Sequence, residues 1–371
     1  MSITPNKILI FRLASIGDTV VALPAFRLIA KAFPGSERWV LTNSPFGIGE
    51  KEVHMSSVLS GLDLVHGYLA TPMSLRLLGI SRSYLPFLQL IWKIRRLKPE
   101  ILINLLPIRN TSQILRHKLF FRLCGIKTFI GLPYDSKDRT HLWLPDKQLF
   151  ESESSRLVRN LAILGQVDLE DPDNWDLKLS NQEKAAANKV LQGWLGRSQF
   201  LVCNVGTKVN LKEWGEDRWL EWIQLMTTAF PKLGLALIGS PDEFERCERM
   251  AALWRGPTIN LCGQLTPRES AAVLAEADIF VGHDSGPMHL SAAVGTPCVA
   301  IFSAREKPGV WFPYGKKHKV IYHKTECFDC QLEVCVQYQQ KCIRSISVDE
   351  VFEAASALLT REEHSTLFSL I

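Results

Sequence analysis

The chain spells out the same strand-then-helix grammar twice, and that repetition limits the folds open to it more than any single residue does. Near the amino terminus Ile8–Phe11 is a short apolar run, as a strand buried on both faces requires. The loop Arg12–Gly17 leads into a helix expected to open near Asp18 and to stop before Phe33-Pro34-Gly35. Strand-like runs follow at Trp39–Thr42, Ile101–Leu105 and Phe129–Gly131, with a helix over about Ile114–Leu123. The pattern restarts near residue 200. Strands at Phe200–Val205, Leu235–Gly239, Ile279–Gly282 and Cys298–Phe302 alternate with helices at Asp217–Ala229, Asp242–Leu253, Thr266–Ala277 and Pro287–Val294. Two capping boxes, Thr266 with Glu269 and Ser347 with Glu350, mark helix starts. The second opens a final helix to about Leu359.

This alternation implies parallel sheets covered by helices on both faces. At 371 residues the chain also exceeds the ~250–300 at which one core usually divides. The expected fold is therefore α/β, with two facing Rossmann-like domains. We place the first at residues 1–170, the second at 182–345 and a terminal helix at 346–371. The Asp- and Asn-rich stretch Val167–Asn181 reads as the linker.

Charge is divided unevenly between the halves. Residues 1–165 carry 22 Lys and Arg against 11 Asp and Glu, a net +11, whereas the remainder carries 21 against 27, a net −6. Such a split argues against uniform nucleic-acid binding and points to one basic domain meeting an anionic partner. Arg76, Arg82, Lys93, Arg95, Arg96, Lys98, Arg109, Arg116, Lys118 and Arg122 supply much of it. Tyr84–Lys98 mixes large apolar residues with a basic end, as interfacial helices do, although a buried helix with a solvated basic face has the same pattern. Arg12 and Asp18 interrupt any leader-peptide core, and no run of about 18 uncharged apolar residues would span a bilayer. With nine cysteines, an odd number, the expected compartment is the cytoplasm.

Two strand-to-helix loops are placed where open α/β sheets bind ligands, beyond the carboxyl ends of strands. The first, Arg12 to Thr19, presents Arg12, Ser15, Gly17 and Asp18. Asp18 is either a helix cap or a carboxylate available as a general base. The loop lacks the GxGxxG fingerprint, which disfavours a dinucleotide dehydrogenase. In the second loop, His283-Asp284-Ser285-Gly286-Pro287-Met288-His289, the backbone N–H groups of Ser285, Gly286 and Met288 open a helix whose dipole favours anions such as a diphosphate. A capped helix start with a core histidine at His289 accounts for the same residues. Thr207 and Lys212 follow the strand at 200–205 and offer a hydroxyl and an ammonium to phosphate oxygens. Glu243, after the next strand, is placed to accept from ribose hydroxyls or simply to favour the helix dipole.

Taken together, ILIFRLASIGDTVVALP at 8–24, Lys212-Glu213-Trp214, Gly239–Glu243 and above all GHDSGPMHLSAAVGTP at 282–297 resemble glycosyltransferase family 9. Its best-known members are ADP-heptose:lipopolysaccharide heptosyltransferases, and the likeness runs from about residue 7 to 360. The resemblance implies a GT-B fold with the acceptor on the first domain and a sugar nucleotide, ADP-heptose by preference, on the second. It implies inverting transfer of a sugar to a lipopolysaccharide-core or similar anionic saccharide or glycolipid, at the inner face of the cytoplasmic membrane. Asp18 then corresponds to the catalytic base, with Arg12, Ser15 and Gly17 on the acceptor side. Thr207, Lys212, Glu243, Asp284, Ser285, Gly286 and His289 correspond to donor-binding positions. No cofactor is implied for the chemistry, and no nucleic-acid partner. A sugar-nucleotide epimerase or hydrolase of the same fold, or a non-catalytic nucleotide-sugar-binding protein, is the alternative. Where many family members carry a Gly-Pro-Thr-like turn, this chain has Ser303-Ala304-Arg305-Glu306, so that Arg305 faces either donor phosphate or solvent.

The cluster Cys327-x2-Cys330-x4-Cys335-x6-Cys342 is open to three readings: a structural zinc held by four thiolates, reduced thiols, or disulfides. Similar cysteines recur in some members of the family, which favours a structural element over a catalytic one.

Overall fold

The computed structural model describes residues 5–43, 54–71, 85–192, 194 and 199–367, with only the backbone described over 361–367. Arg76, Arg82 and Tyr84 fall outside the described residues. The chain divides into two compact units, residues 1–175 and 176–371.

The first unit runs β1 (Lys7–Phe11), α1 (Ile16–Val21), α2 (Leu23–Ala32), β2 (Glu37–Asn43), α3 (Ser56–Leu59), β3 (Gly67–Thr71), α4 (Leu85–Leu97), β4 (Ile101–Asn104), α5 (Thr111–Leu123) and β5 (Thr128–Ile130). Then come α6 (Ser136–Arg139), β6 (Trp143–Leu144), β7 (Leu149–Phe150) and α7 (Glu153–Asn160). Five strands form one parallel sheet in the order β3-β2-β1-β4-β5, while β6 and β7 make a small antiparallel pair. Ile8, Leu9 and Ile10 on the central strand are fully buried, as their uninterrupted apolar run requires. The single helix expected from Asp18 to Phe33 is two helices. Its break falls at Ala22, just before Pro24, whose missing N–H and fixed φ suit the first turn of a new helix.

The second unit runs α8 (Asn181–Val190), β8 (Phe200–Asn204), α9 (Glu216–Ala229), β9 (Gly234–Leu237), α10 (Phe244–Ala251), β10 (Thr258–Asn260), α11 (Pro267–Ala275), β11 (Ile279–His283) and α12 (Gly286–Ala293). It ends with β12 (Cys298–Phe302), β13 (Lys319–Tyr322), α13 (Lys341–Arg344) and α14 (Val348–Leu367). Its six strands form a second parallel sheet, β10-β9-β8-β11-β12-β13. Three buried tryptophans, Trp214, Trp219 and Trp222, stack edge to face beside this sheet, with centroids 5.0 and 5.8 Å apart. The indole of Trp214 donates to the Ile346 carbonyl and so ties the start of α9 to the segment before α14. Both capping boxes form. The final helix runs beyond the expected Leu359, to Leu367.

These parallel sheets with their crossover helices give the α/β fold of the GT-B class. Among the described residues, no helix is long and apolar enough to cross a membrane.

Candidate functional site

Each large sheet contains one topological switch point. In the first unit the chain grows outward from β1 through β2 to β3, then returns to place β4 on the other side of β1. In the second it does the same around β8, with β11 arriving on the opposite flank. Loops leaving two such strands diverge, opening a crevice at their carboxyl ends. The charged loops singled out in the sequence leave β1, β8 and β11, so both switch points carry them.

In the first unit Ser15 caps α1 in extended conformation, and Asp18 stands at the third helical position instead of at the cap. The Ser15 backbone N–H and hydroxyl both donate to Asp18 Oδ2, at 3.0 and 2.6 Å. The other oxygen, Oδ1, is 3.7 Å from Arg12 Nη2, and the Asp18 side chain is one-third exposed. Arg12 itself is buried, at 2% exposure, with Nη1 donating to the Leu105 carbonyl after β4 and Nη2 to the Asp18 carbonyl. Gly17 is buried within α1. The loop is thus clamped from below, with its carboxylate at the surface.

Three residues absent from the sequence reading complete that clamp. Glu153, at the start of α7, is 3% exposed and accepts from Arg12 Nη1 at 3.0 Å and from Arg156 Nε at 2.7 Å. His141 Nε2 lies 3.1 Å from Glu153 Oε2, the oxygen that also accepts from Arg156 Nε. Burial pushes the Glu153 pKa up, but hydrogen bonds from Arg156 and His141 and the charges of Arg156 and Arg12 outweigh it, holding the carboxyl far below its usual range. No pattern marked these residues. A buried charge cluster on a short helix has the spelling of a solvated one.

In the second unit Lys212 Nζ pairs with Asp284 Oδ2 at 2.5 Å, both side chains being largely buried. His289, one turn into α12, is 3.9 Å from Asp284 Oδ1 and also buried. Ser285 caps α12 and donates its hydroxyl to Asn204 Oδ1 at the end of β8, which fixes the start of α12 against the neighbouring strand. Gly286 and Pro287 occupy the first turn, so the N–H groups of Gly286 and Met288 point out of the helix end. Thr207 turns its hydroxyl toward its own loop, at Val209. Glu243 accepts from the Ser240 N–H, and its carboxylate lies directly over the backbone of Gly206 and Gly239, where a Cβ would collide with it. These two glycines let an acidic side chain lie flat between the ends of β8 and β9.

Behind this surface, His283 is fully buried and accepts from the Trp214 N–H at 3.0 Å. Burial pushes its pKa down to about 4, so it is neutral near pH 7 and able to accept. Beside it, Glu213 pairs with Arg246 at 2.9 Å. Burial raises the Glu213 pKa, but the hydrogen bond and charge of Arg246, with smaller contributions from His283 and the Gly215 N–H, together outweigh it and lower the pKa overall.

Arg305 does not simply face solvent. Its guanidinium pairs with Glu306 and donates to the carbonyls of Leu332 and Gln331, holding the cysteine-rich segment against the loop after β12. No disulfide joins any of the nine cysteines; Cys327, Cys330 and Cys335 are partly exposed and Cys342 is buried. Burial raises the Cys342 thiol, and Cys327 and Cys330 add to that rise. Among the described residues, no group of three or more His, Cys, Asp or Glu side chains is disposed to hold a metal ion.

Lipooligosaccharide heptosyltransferase 2 of Campylobacter jejuni is 30% identical over 122 residues, 32% of this chain and 38% of that protein's own length. The lipopolysaccharide core heptosyltransferase OpsX of Haemophilus influenzae is 21% identical over 326 residues, covering 85% of this chain and 84% of the relative. In fold, the Escherichia coli ADP-heptose lps heptosyltransferase II superposes with a TM-score of 0.65 at 18% identity, over 96% of this chain and 99% of that one. The sequence model of glycosyltransferase family 9 matches residues 110–340, which takes in the whole Lys212–His289 cluster and leaves the Asp18 loop outside. The chain belongs to glycosyltransferase family 9, the heptosyltransferase family.

Proposed function

We propose that this chain transfers a sugar, heptose from ADP-heptose by preference, onto a lipopolysaccharide-core or similar anionic saccharide, inverting the anomeric carbon. The observation that carries the reading is the Lys212–Asp284 pair set at the amino end of α12, at a switch point. A diphosphate there meets an ammonium already aimed by a carboxylate, together with the outward N–H groups of Gly286 and Met288. Glu243 lies between the ends of β8 and β9, where ribose hydroxyls would find an acceptor. The names of the relatives, heptosyltransferases acting on lipopolysaccharide or lipooligosaccharide, support the same donor and acceptor classes.

In this reading Asp18 takes the proton from an acceptor hydroxyl as that oxygen bonds to the anomeric carbon. The bond from that carbon to the diphosphate oxygen breaks on the opposite face, and the nucleoside diphosphate leaves with the electron pair. Ser15 and Arg12 hold the base in place, while Lys212 and the helix end stabilise charge on the departing diphosphate. The residues used here supply the acid–base and electrostatic parts of the step themselves. Its setting is the cytoplasmic face of the inner membrane, where such an acceptor is assembled.

The test is to incubate the protein with ADP-heptose and a truncated lipopolysaccharide core, follow product by mass spectrometry and read its anomeric configuration by NMR. ADP release that requires the acceptor and yields an inverted glycoside is the expected result. Donor breakdown without acceptor indicates a hydrolase or epimerase, and tight donor binding with no turnover indicates a binding protein. Thermal shifts with ADP-, UDP-, GDP- and CMP-sugars identify the nucleotide, because a bound donor stabilises the fold by mass action.

A further inference from the structure

Helices α4 and α5 cover one face of the first sheet, and both are apolar on the side that faces away from it. Leu90 and Ile94 of α4 and Phe120 and Phe121 of α5 are buried in the core beneath, and the Phe87 and Phe120 rings, 5.1 Å apart, join the two helices. That packing fixes the rotation of each helix. Leu85, Leu88 and Trp92 on α4, and Leu115, Leu119 and Leu123 on α5, are consequently left 51–64% exposed at helical spacing. Six large apolar side chains on two adjacent helices are well beyond the scattered single exposures of an ordinary surface.

Cations are interleaved with this apolar surface. Lys93, Arg95 and Arg96 on α4 and Arg116 and Arg122 on α5 are exposed, and the Arg96 guanidinium lies over the Trp92 ring at 5.2 Å. Neither helix contains an acidic residue, and Glu100 is the one acid between residues 64 and 134. At the carboxyl ends of the two helices an open concavity of about 570 Å³ adds Lys98 and Lys127 to Arg95, with Glu100 also on its wall and occupied by the Asn6 N–H.

We infer that the outer face of α4 and α5 is a docking surface for an anionic lipid bilayer. Large apolar residues reach the acyl boundary while Lys and Arg stems extend their charges to headgroup phosphates. The charge pattern selects this occupant over a second copy of the chain. A two-fold pairing of this face would set Arg against Arg with no carboxylate between them. The surface stands independently of the sugar-transfer reading, and would hold the basic unit against the membrane whatever reaction it performs.

The test is co-sedimentation of the full chain, without donor or acceptor, with vesicles containing phosphatidylglycerol and with vesicles of phosphatidylcholine alone. Binding only to the anionic vesicles, weakened by added salt, is expected. Leu88→Ser with Leu119→Ser, both exposed, should reduce the bound fraction at least ~10-fold at unchanged circular dichroism and melting temperature. Arg96→Gln with Arg122→Gln should remove the preference for anionic lipid. Absence of binding by the unaltered protein, or equal binding by the Ser variant, overturns the inference. A dimer in solution that the Ser variant dissolves would assign the face to a second copy instead. Because no sugar transfer is read, failure here is distinct from failure of the enzymatic reading.

Discussion

Arg12 and Glu153, 141 positions apart in the sequence, form a buried ion pair at 3.0 Å beneath the loop that carries Asp18. One end of the Arg12 guanidinium is occupied by Glu153 and Leu105, and the other by the Asp18 backbone. Asp18 therefore sits on a support built from β1, the loop after β4 and the start of α7.

Replacing Asp18 with Asn keeps the side chain's size and its acceptor oxygen but removes the basic carboxylate. Donor-induced thermal stabilisation should match the unaltered protein, while turnover falls by about 10²–10⁴-fold. Near-normal transfer by Asp18→Asn would remove it from the role of base.

Glu153→Gln leaves Arg156 buried without its counter-charge and Arg12 with only Asp18, 3.7 Å away, which should cost about 3–5 kcal/mol. The same carboxylate has a folded-state pKa depressed far below its ordinary value of 4.5. At acid pH the unfolded chain therefore binds a proton that the folded chain refuses. Its stabilising contribution is complete above pH ~5 and is lost as the pH falls through and below 4.5. Melting temperatures measured from neutral to acid pH should show the gap between the two proteins closing on acidification. A constant gap would mean that Glu153 acts by packing alone.

Lys212→Ala should weaken ADP binding by roughly 10–100-fold, the range expected for about 1.5–3 kcal/mol from a charge-assisted hydrogen bond. It also leaves Asp284 unneutralised next to the proposed diphosphate. Lys212→Ala with Asp284→Asn should then recover part of the loss in calorimetric titrations.

At Gly206, Ala would push a methyl into the Glu243 carboxylate. Gly206→Ala should lower the melting temperature and weaken nucleotide binding. Adding Glu243→Ala should restore stability without restoring affinity. A coupling of about 0.5–3 kcal/mol between the two changes is the expected signature of direct contact.

Thiol labelling separates the readings of the cysteine cluster. Cys327, Cys330 and Cys335 are partly exposed and should react with iodoacetamide in the folded protein, ahead of Cys124 and Cys298, whose thiols burial pushes up to about 12. A structural zinc would instead protect all four clustered thiols and appear as one metal equivalent that Cys330→Ser abolishes.

What the sequence revealed follows from which segments are buried on both sides. Central strands such as Ile8–Phe11 and Cys298–Phe302 are apolar throughout and stand out. Three of the four edge strands, β3, β10 and β13, are half-buried and spelled with Gly, Thr, Asn and Lys, so they carry no comparable run. The start of α12 was legible because a Ser-Gly-Pro run directly after a strand suits a helix opening. The clamp under Asp18 was not, because Glu153 and Arg156 gain their meaning only from partners that the fold brings from far along the chain. The exposed apolar face of α4 was half legible: the residue types were there, but the sequence left open which side the core would take.

Every pairing in both large sheets is parallel, and each sheet begins with a strand that ends up in its middle. Neither sheet can start from a local hairpin. The first must add β2 and β3 on one side of β1 and then reserve the other side for β4, which is made some sixty residues after β2. Loop closures of this length precede any reward from strand pairing, so folding should be slow compared with hairpin-built domains of similar size. While it waits, the bare edge of β1 is the part of the newborn chain most in need of protection from other chains.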